Sequence, residues 1–529
     1  MPVLSVGANL LSGGTGDTWR HLADTVLLEY TLNSVLLCVG VGVGVASVGT
    51  GAAWLATLYE FPGRRQFEWL LLLPMAMPAY VLAYAYTDLL QFVGPVQTWL
   101  REYFGWRRAD YWFPEVRSLG GAMVLFTCVL YPYVYLLVRT ALLERAGGVI
   151  EAARVLGLSP AKAFFKVSIP LARPAIVAGM ALALMETLAD YGTVAYFALP
   201  TFTTGIYRAW FSLGDRVAAA QLAACLLGFV LLLLALEQAS RGQARYHNTS
   251  SRRRAARQQL SGFAAALAVL ACLLPIGVGF LLPSGLLLKL ALGTQEPLFG
   301  QRFFTLAGNS VTVALIAALV AGALALLVAY GARHASQNRQ HIARWAARLA
   351  GLGYAVPGSV IAVGVLIPVT RLDHALAGLW QQAFGSHPGL ILTGGIAALI
   401  YAYVARFLSV ALQSVESGMT RITASMDDAA RSLGRGQWPT LREVHLPLLR
   451  GSLLTATLLV FVDVMKELPA TLVMRPFNFD TLATQTYTLA ADERLAEASG
   501  AALAIVVVGL LPIIVLARQI AKGRAAAGC

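Results

Sequence analysis

Two apolar segments of the chain each carry a pair of carboxylates at the same spacing. Glu186 and Asp190 lie in one segment, and Asp463 and Glu467 lie in the other, together with Lys466. Each pair is spaced i,i+4, which predicts that its two members share one helix face. Charged groups in apolar segments are costly and mostly face a cavity or each other. We therefore expect these five residues to line a pathway; structural pairing of Asp463 with Lys466 is the alternative.

The composition indicates that these segments cross a membrane. Of 529 residues, 58% are hydrophobic and only 13% are charged, whereas soluble domains carry about 25% charged residues. This excludes a disordered chain and a typical soluble enzyme, and it predicts an all-α polytopic membrane protein. A spanning helix needs about 20 mostly apolar residues. Eleven spans are predicted, at 26–58, 68–92, 119–141, 173–196, 217–238, 260–283, 305–331, 346–370, 390–415, 453–475 and 500–518.

The distribution of basic residues predicts the orientation of these spans. Of the 40 Lys and Arg residues, 25 fall on one set of connections, which is therefore assigned to the cytoplasm. The formal net charge of +13 then reflects basic loops in contact with lipid rather than a nucleic-acid partner. The N-terminus is predicted outside and the C-terminus inside. The span at 260–283 has no counterpart in the first half, so we expect twelve spans if a helix precedes residue 1.

The chain contains an internal repeat at an offset of 277 residues. The segment 151–157 (EAARVLG) aligns with 428–434 (DAARSLG), and the alignment without gaps continues through Phe202 over Phe479 and Thr204 over Thr481. Further upstream, Asn33 resembles Asn309. An even number of spans separates the repeats, which predicts a parallel repeat with a pathway along its axis. The predicted domains are 1–245 and 260–529, joined by a basic cytoplasmic linker at 246–259.

Two loops at equivalent places in this repeat share one pattern. We call residues 151–174 the first repeat loop and residues 428–450 the second repeat loop. In each loop the sequence pattern predicts a short helix that ends at a glycine, Gly157 or Gly434, because glycine tolerates a left-handed C-cap. A second short helix follows, and in the first loop Ser159 and Pro160 are its predicted start. Pro170 and Pro447 are expected to stop that segment ahead of the next span.

Both loops resemble the EAA loop in the permease subunits of binding-protein-dependent ABC importers. In that family the loop contains the helix that docks on the ATPase subunit. The resemblance implies two type I importer transmembrane domains in one chain, each with its own coupling loop. The second loop departs from the pattern, with Asp428 in place of Glu and Arg435 after the glycine. The implied coupling residues are Glu151, Ala152, Ala153, Gly157, Pro170, Asp428, Ala429, Ala430, Gly434 and Pro447.

The segments 189–215 and 465–499 resemble the ferric-iron branch of these permeases. The resemblance implies a multi-pass protein of the bacterial inner membrane, two ATP-binding partner subunits, and a periplasmic or lipid-anchored substrate-binding protein. None of the five lysines follows a glycine, so the core of a phosphate-binding P-loop is absent from the sequence. ATP is therefore expected to be used by the partner subunits, with no cofactor held by this chain and no enzymatic site of its own.

Two alternatives remain open at this stage. Fused thiamine permeases and separate polyamine or sulfate permeases share this architecture, so thiamine, polyamine and sulfate remain alternative substrates. Carboxylate oxygens suit a hard cation such as ferric iron, but they do not identify one. An ion-coupled secondary carrier with parallel repeats is the alternative from another class, although such a carrier has no need of loops of this form.

Overall fold

The computed structural model describes residues 2–10, 16–241, 257–294, 300–337, 350–351, 353–386, 388–420 and 422–525. In this part of the chain ten helical segments are long and apolar enough to cross a membrane. A further pair, Arg64–Ala76 and Ala79–Phe104, forms an eleventh span if its two bent parts count as one. The predicted all-helical, polytopic membrane fold is confirmed. The predicted linker at 246–259 lies outside the described residues except for its last three positions.

The first part of the chain is a series of helices with one two-residue strand. Its elements are α1 (Pro2–Leu10), α2 (Gly16–Thr25), α3 (Leu27–Leu58), β1 (Tyr59–Glu60), α4 (Arg64–Leu70), a 3₁₀ turn (Leu73–Ala76), α5 (Ala79–Leu90), α6 (Pro95–Phe104), α7 (Leu119–Val155), α8 (Pro160–Ala163), a π turn (Phe164–Ser168), α9 (Ile169–Ala189), α10 (Gly192–Tyr196), α11 (Phe202–Tyr207), a second π turn (Arg208–Ser212) and α12 (Arg216–Arg241).

The second part repeats much of this order. Its elements are β2 (Gln258–Gln259), α13 (Gly262–Ile276), a π turn (Gly277–Leu281), α14 (Leu282–Gly293), α15 (Gln301–Gln337), a 3₁₀ turn (Gly353–Ala355), α16 (Gly358–Phe384), α17 (Ala397–Met419), α18 (Ala424–Ser432), α19 (Gln437–Thr440), a π turn (Leu441–His445), α20 (Leu446–Met465), α21 (Pro469–Met474), α22 (Leu482–Ala491) and α23 (Leu495–Ala525).

The bend in the eleventh span follows from a proline between its two parts. Pro78 precedes α5 in an extended conformation, and the two parts of the span differ in direction by 88°. Proline lacks the N–H that would continue the preceding turn. Pro357 stands in the same way before α16, and a 3₁₀ turn precedes the proline in both halves.

The chain divides into two compact units. The first unit comprises Met1–Gly14, Gly214–Ala224 and Phe299–Gln485, and the second comprises Thr15–Leu213, Cys225–Leu298 and Thr486–Cys529. These units do not coincide with the predicted domains 1–245 and 260–529. Those domains follow the sequence repeat, whereas the units follow packing and draw on segments from both halves.

In the second unit, helices α3, α7 and α9 pack against one another. A Cβ atom at Gly49 of α3 would lie 2.7 Å from the Val134 Cβ, and one at Gly179 of α9 would lie 2.6 Å from the Val134 Cα. Both glycines therefore allow close approach of α7, as small residues do between membrane helices. Helix α14 packs on α23 in the same unit, and β1 pairs in parallel with β2.

The first unit has an equivalent three-helix packing of α15, α17 and α20. Helix α1 packs on α16, and α16 in turn contacts α21. The repeated asparagines have equivalent roles in the two units. Asn309 Nδ2 donates to the Asp480 carbonyl at 2.9 Å, and Asn33 Nδ2 in the second unit donates to the Pro200 carbonyl at 3.0 Å. The sequence match between Asn33 and Asn309 is therefore confirmed.

Candidate coupling loops and intramembrane charges

The two repeat loops have the predicted glycine C-caps. Gly157 has φ of +81° and Gly434 has φ of +73°, values that glycine adopts without strain. In the first loop the Leu158 N–H donates to the Ala153 carbonyl at 3.1 Å, and in the second the Arg435 N–H donates to the Ala430 carbonyl at 3.0 Å. These bonds span five residues and close each helix as in a Schellman motif.

The second short helix of each loop does not stop at the proline, so that prediction is wrong. Instead, α8 and α19 each continue through a π turn into the following span. The Ile169 N–H donates to the Phe164 carbonyl, and the Leu446 N–H donates to the Leu441 carbonyl. Pro170 and Pro447 sit at the start of the continuing helices α9 and α20. The wider turn accommodates the proline ring, which would clash with the carbonyl four residues earlier in a regular α-helix.

Both loops expose large apolar side chains immediately before the capping glycine. Leu156 is 81% exposed and Leu433 is 80% exposed. These residues are equivalent in the repeat, since they also lie 277 positions apart. Phe165 in the first loop and Trp438 in the second are 66% and 72% exposed. Exposed apolar residues grouped in this way are typical of a surface that binds another protein.

The other predicted coupling residues divide between buried and exposed positions. Ala153 and Ala430 are each 5% exposed and hold their helices against the rest of the unit. Ala429 is exposed, and the exposed Asp428 forms an ion pair with Arg431 at 3.0 Å. Glu151 and Ala152 lie within α7, but their side chains lie outside the described part of the structure.

A triad that anchors the second repeat loop was not predicted. Asp427 Oδ1 lies 2.7 Å from His445 Nε2, and its Oδ2 accepts a hydrogen bond from Arg333 Nη2 at 2.8 Å. Burial would raise the pKa of Asp427, but hydrogen bonds and charge from Arg333 and His445 hold that pKa below its usual value. The triad joins α15, α18 and the π turn before α20. At the equivalent positions the first half has Ile150 and Ser168, so the repeat gives no signal for it.

The intramembrane carboxylates Asp190 and Glu467 lie just beyond the ends of their helices. Helix α9 ends at Ala189, but the Asp190 N–H still donates to the Glu186 carbonyl at 3.0 Å, so the predicted i,i+4 spacing is kept there. Helix α20 ends at Met465 and Glu467 lies beyond its cap, so the predicted shared face with Asp463 is wrong. Asp190 Oδ1 accepts the Thr193 N–H at 2.8 Å. Glu467 accepts the backbone N–H groups of Ala470 at 2.9 Å and Thr471 at 3.1 Å. Each carboxylate thus caps the short helix that follows it.

Glu467 also forms a buried ion pair. Arg406 Nη1 lies 2.9 Å from Glu467 Oε1, with both side chains less than a tenth exposed. The Thr471 hydroxyl donates to Glu467 Oε2 at 2.7 Å, and it lies 2.6 Å from the Tyr403 hydroxyl. This network satisfies both carboxylate oxygens, as a buried charge requires.

The other predicted pathway residues differ in their surroundings. Asp463 and Lys466 form an ion pair at 3.0 Å, which is the structural pairing that the sequence left open. Glu186 is half-buried, and no residue of the described structure forms an ion pair with it. Lining of a pathway by these residues stays a prediction.

The register of the repeat changes between the intramembrane carboxylates and the short helices α11 and α22. Thr201 and Thr204 form a capping box at the start of α11, and Thr481 and Thr484 make the equivalent bonds at the start of α22. The structural equivalents are therefore 280 residues apart, rather than the 277 of the alignment without gaps. The predicted match of Thr204 with Thr481 is corrected to Thr204 with Thr484. Tyr207 and Tyr487 also become equivalent.

Comparison with known proteins agrees with the predicted class. Residues 48–242 match the family of binding-protein-dependent transport system inner membrane components. The chain is 27% identical over 508 residues to an Fe(3+)-transport system permease protein of Haemophilus influenzae, covering 94% of this chain and 91% of the relative. It is 25% identical to a ferric transport system permease protein of Actinobacillus pleuropneumoniae, covering 89% of this chain and 68% of the relative.

The chain is also similar, over a shorter stretch, to a permease that is named for transport of an anion. A sulfate transport system permease protein of Escherichia coli is 34% identical over 160 residues, which cover 29% of this chain and 54% of the relative. The family match, the similarities over most of the chain and the duplicated loop geometry bear out the resemblance read from the sequence. Residues 48–242 thus match the inner membrane components of binding-protein-dependent transport systems, and the chain as a whole is similar to permeases named for ferric iron.

Proposed function

We propose that this chain is the fused permease of an ATP-driven importer of ferric iron, with its two repeat loops docked on two ATP-binding subunits. The observation that carries the docking is the matched exposure of Leu156 and Leu433, 81% and 80%. A lone exposed leucine has no special meaning. Two leucines at equivalent positions, each directly before a left-handed glycine, instead form a repeated surface suited to a pair of identical partners.

The loops are built to transmit a displacement of the partner to the spans. Each passes through its π turn into a span helix without a break. In the second loop, Arg333 of α15 also bonds to Asp427 of α18. A partner that moves α18 would therefore move α15 and α20 with it. The ATPase subunits would supply the energy, and this chain would hold no nucleotide or other cofactor.

Iron is favoured over an anion by the charges within the spans. Glu467 is neutralised by Arg406, and Asp463 by Lys466. Of the five predicted pathway residues, this leaves Glu186 and Asp190 without a cationic partner in the described part of the structure. An excess of carboxylates attracts a cation and repels sulfate or molybdate. The names of the relatives that extend over most of the chain point to the same substrate.

The remaining parts of the proposal follow from the family and the basic loops. The chain would lie in the bacterial inner membrane with its C-terminus in the cytoplasm. A periplasmic or lipid-anchored binding protein would deliver the substrate to the outer face. The substrate would then pass beside Glu186, Asp190, Asp463, Lys466 and Glu467. Thiamine and polyamine are the other cationic substrates to test.

Charge substitution at the two leucines tests the docking. The variants L156E and L433E place a carboxylate on the proposed contact surface without disturbing a buried group. We expect each to reduce co-purification of the ATPase subunit and iron uptake, and the double variant to abolish both. The matched control is F477E, at a side chain that is 95% exposed outside both loops. Undiminished co-purification and uptake in the double variant would overturn the docking proposal.

The substrate and the energy source need a separate experiment. Vesicles containing the chain and its ATPase subunits should take up radioactive iron from a ferric-loaded binding protein on one side of the membrane. Uptake should require ATP on the other side, where the ATPase subunits are bound. Excess thiamine, spermidine or sulfate should not compete. Competition by one of these compounds would overturn the iron assignment. Uptake driven by an ion gradient without any ATPase would favour the secondary carrier.

A further inference from the structure

We propose that Asp190 and the phenol oxygens of Tyr84, Tyr191 and Tyr487 form a transient site for ferric iron in the second unit. The inference rests on the proposed function and assigns the binding of the ion to particular atoms. It distinguishes Asp190 from Asp463 and Glu467, which form ion pairs with Lys466 and Arg406.

Asp190 has the chemistry of an open ligand. Its Oδ1 accepts the Thr193 N–H and, at 3.4 Å, the Val194 N–H, which fixes the carboxylate at the start of α10. Within the described residues no Lys, Arg or His side chain pairs with it. By contrast Glu467, its equivalent in the repeat, has Arg406 at 2.9 Å. The two repeats therefore differ at this position, because among the described residues only the carboxylate of the second repeat has a cationic partner.

Tyr84 supplies a buried hydroxyl that has no partner. Its side chain is 0% exposed, and its hydroxyl makes no hydrogen bond within the described structure. Asp190 and Tyr487 are both near enough to act on it electrostatically. The Tyr196 ring packs edge-on at 4.5 Å from the Tyr84 ring and holds it in place. A buried hydroxyl without a partner is costly, so an unpaired phenol within electrostatic reach of a carboxylate indicates a missing ligand.

Tyr191 follows Asp190 directly and sits between the two equivalent tyrosines of the repeat. Its ring stacks on the Tyr207 ring with centroids 3.6 Å apart. The Tyr487 hydroxyl donates to the Tyr191 hydroxyl oxygen at 3.4 Å, which is a weak bond by its length. The stacking fixes the Tyr191 ring, while the long hydroxyl contact leaves both oxygens available to an ion.

A carboxylate with several phenols fits a hard trivalent cation in transit. Oxygen donors of this kind suit hard metal ions, whereas thiols and imidazoles suit softer ones. Each phenol that binds iron gives its proton to water accompanying the ion and takes a proton back when the ion leaves. Because the phenols are neutral until the ion binds, binding remains weak enough for release, as passage through a membrane requires.

Ferric citrate added to the purified full-length chain tests the site by spectroscopy. Coordination by a phenolate gives a visible phenolate-to-iron charge-transfer band that carboxylates alone do not give. We expect the band in the wild type, its loss in Y84F and D190N, and its weakening in Y191F. The matched control is Y86F on the same helix, since the Tyr86 hydroxyl already donates to the Val278 carbonyl at 2.7 Å. Absence of the band in the wild type, or its persistence in Y84F, Y191F and D190N, would overturn the site.

Two further measurements keep the outcomes separate. Thermal unfolding of each variant identifies a misfolded protein, and Y191F carries the test if Y84F does not fold. Iron uptake by the wild type tests the proposed function independently. Iron uptake without the band overturns the site alone, whereas sulfate uptake without iron uptake overturns the proposed function.

Discussion

His445 Nε2 of the second repeat loop lies 2.7 Å from Oδ1 of Asp427, the residue directly before that loop, and both side chains are buried. Asp427 is bonded through its other oxygen to Arg333, so one carboxylate joins two basic residues from different elements. The Tyr330 ring packs against the His445 imidazole in a T-shaped arrangement, with centroids 5.1 Å apart. The second repeat loop is therefore anchored through one carboxylate that contacts two basic residues, whereas the positions aligned with Asp427 and His445 in the first half hold Ile150 and Ser168.

Removal of the Asp427 carboxylate should destabilise the second repeat loop. In D427A, Arg333 and His445 stay in place without their common partner. Loss of one member of a buried pair costs about 3–5 kcal/mol, and partial exposure of Arg333 places the expected loss at the lower end. The measurement is thermal unfolding of the purified chain. D428A is the matched control, because its exposed ion pair with Arg431 contributes no more than about 0.5 kcal/mol. Equal unfolding temperatures for the two variants would contradict the assignment.

The same carboxylate predicts a pH dependence with a defined sign. The pKa of Asp427 is lower in the folded protein than its usual value, so its contribution is complete above the unfolded pKa of about 3.9 and is lost as the pH falls through the folded pKa. The difference in unfolding temperature between wild type and D427N should be constant from neutral pH to about pH 5 and should shrink only below about pH 4. A difference that already disappears between pH 7 and pH 5 would rule out Asp427 as its source.

Gly358 should be indispensable for the buried pair of Arg406 and Glu467. A Cβ atom at this position would lie 2.6 Å from Arg406 Nη1 and 2.7 Å from Glu467 Oε1. G358A should therefore displace the pair and cost about 1–3 kcal/mol, measured by chemical or thermal unfolding. G51A is the control within a helix, since a Cβ there meets nothing within 4 Å. We expect G51A to be neutral or stabilising by about 0.5–1 kcal/mol, and a similar effect for both variants would contradict the prediction.

The sequence predicted those features that depend on local pattern. Gly157 and Gly434 were identifiable as helix caps because a glycine after a helical segment has few other uses. The eleven spans followed from apolar length. The ion pair between Arg406 and Glu467 was not predictable, because its members lie 61 residues apart and the first half has no equivalent. The π turns were missed because Pro170 and Pro447 predict a helix end, whereas a widened turn lets the helix continue through them.

The two capping glycines should control transport more than stability. In G157V and G434V a β-branched residue must adopt the left-handed conformation, which costs at least about 1–2 kcal/mol, although a Cβ at either position meets nothing within 4 Å. The strain is relieved by a change in the loop path, which displaces Leu156 or Leu433 from the docking surface. We expect reduced co-purification of the ATPase and reduced uptake, with the double variant inactive. G385V is the matched control, because Gly385 has φ of +67° and equally open surroundings but lies outside both loops. Unchanged co-purification and uptake in the double variant, or an equal loss in G385V, would show that the loops do not transmit the motion.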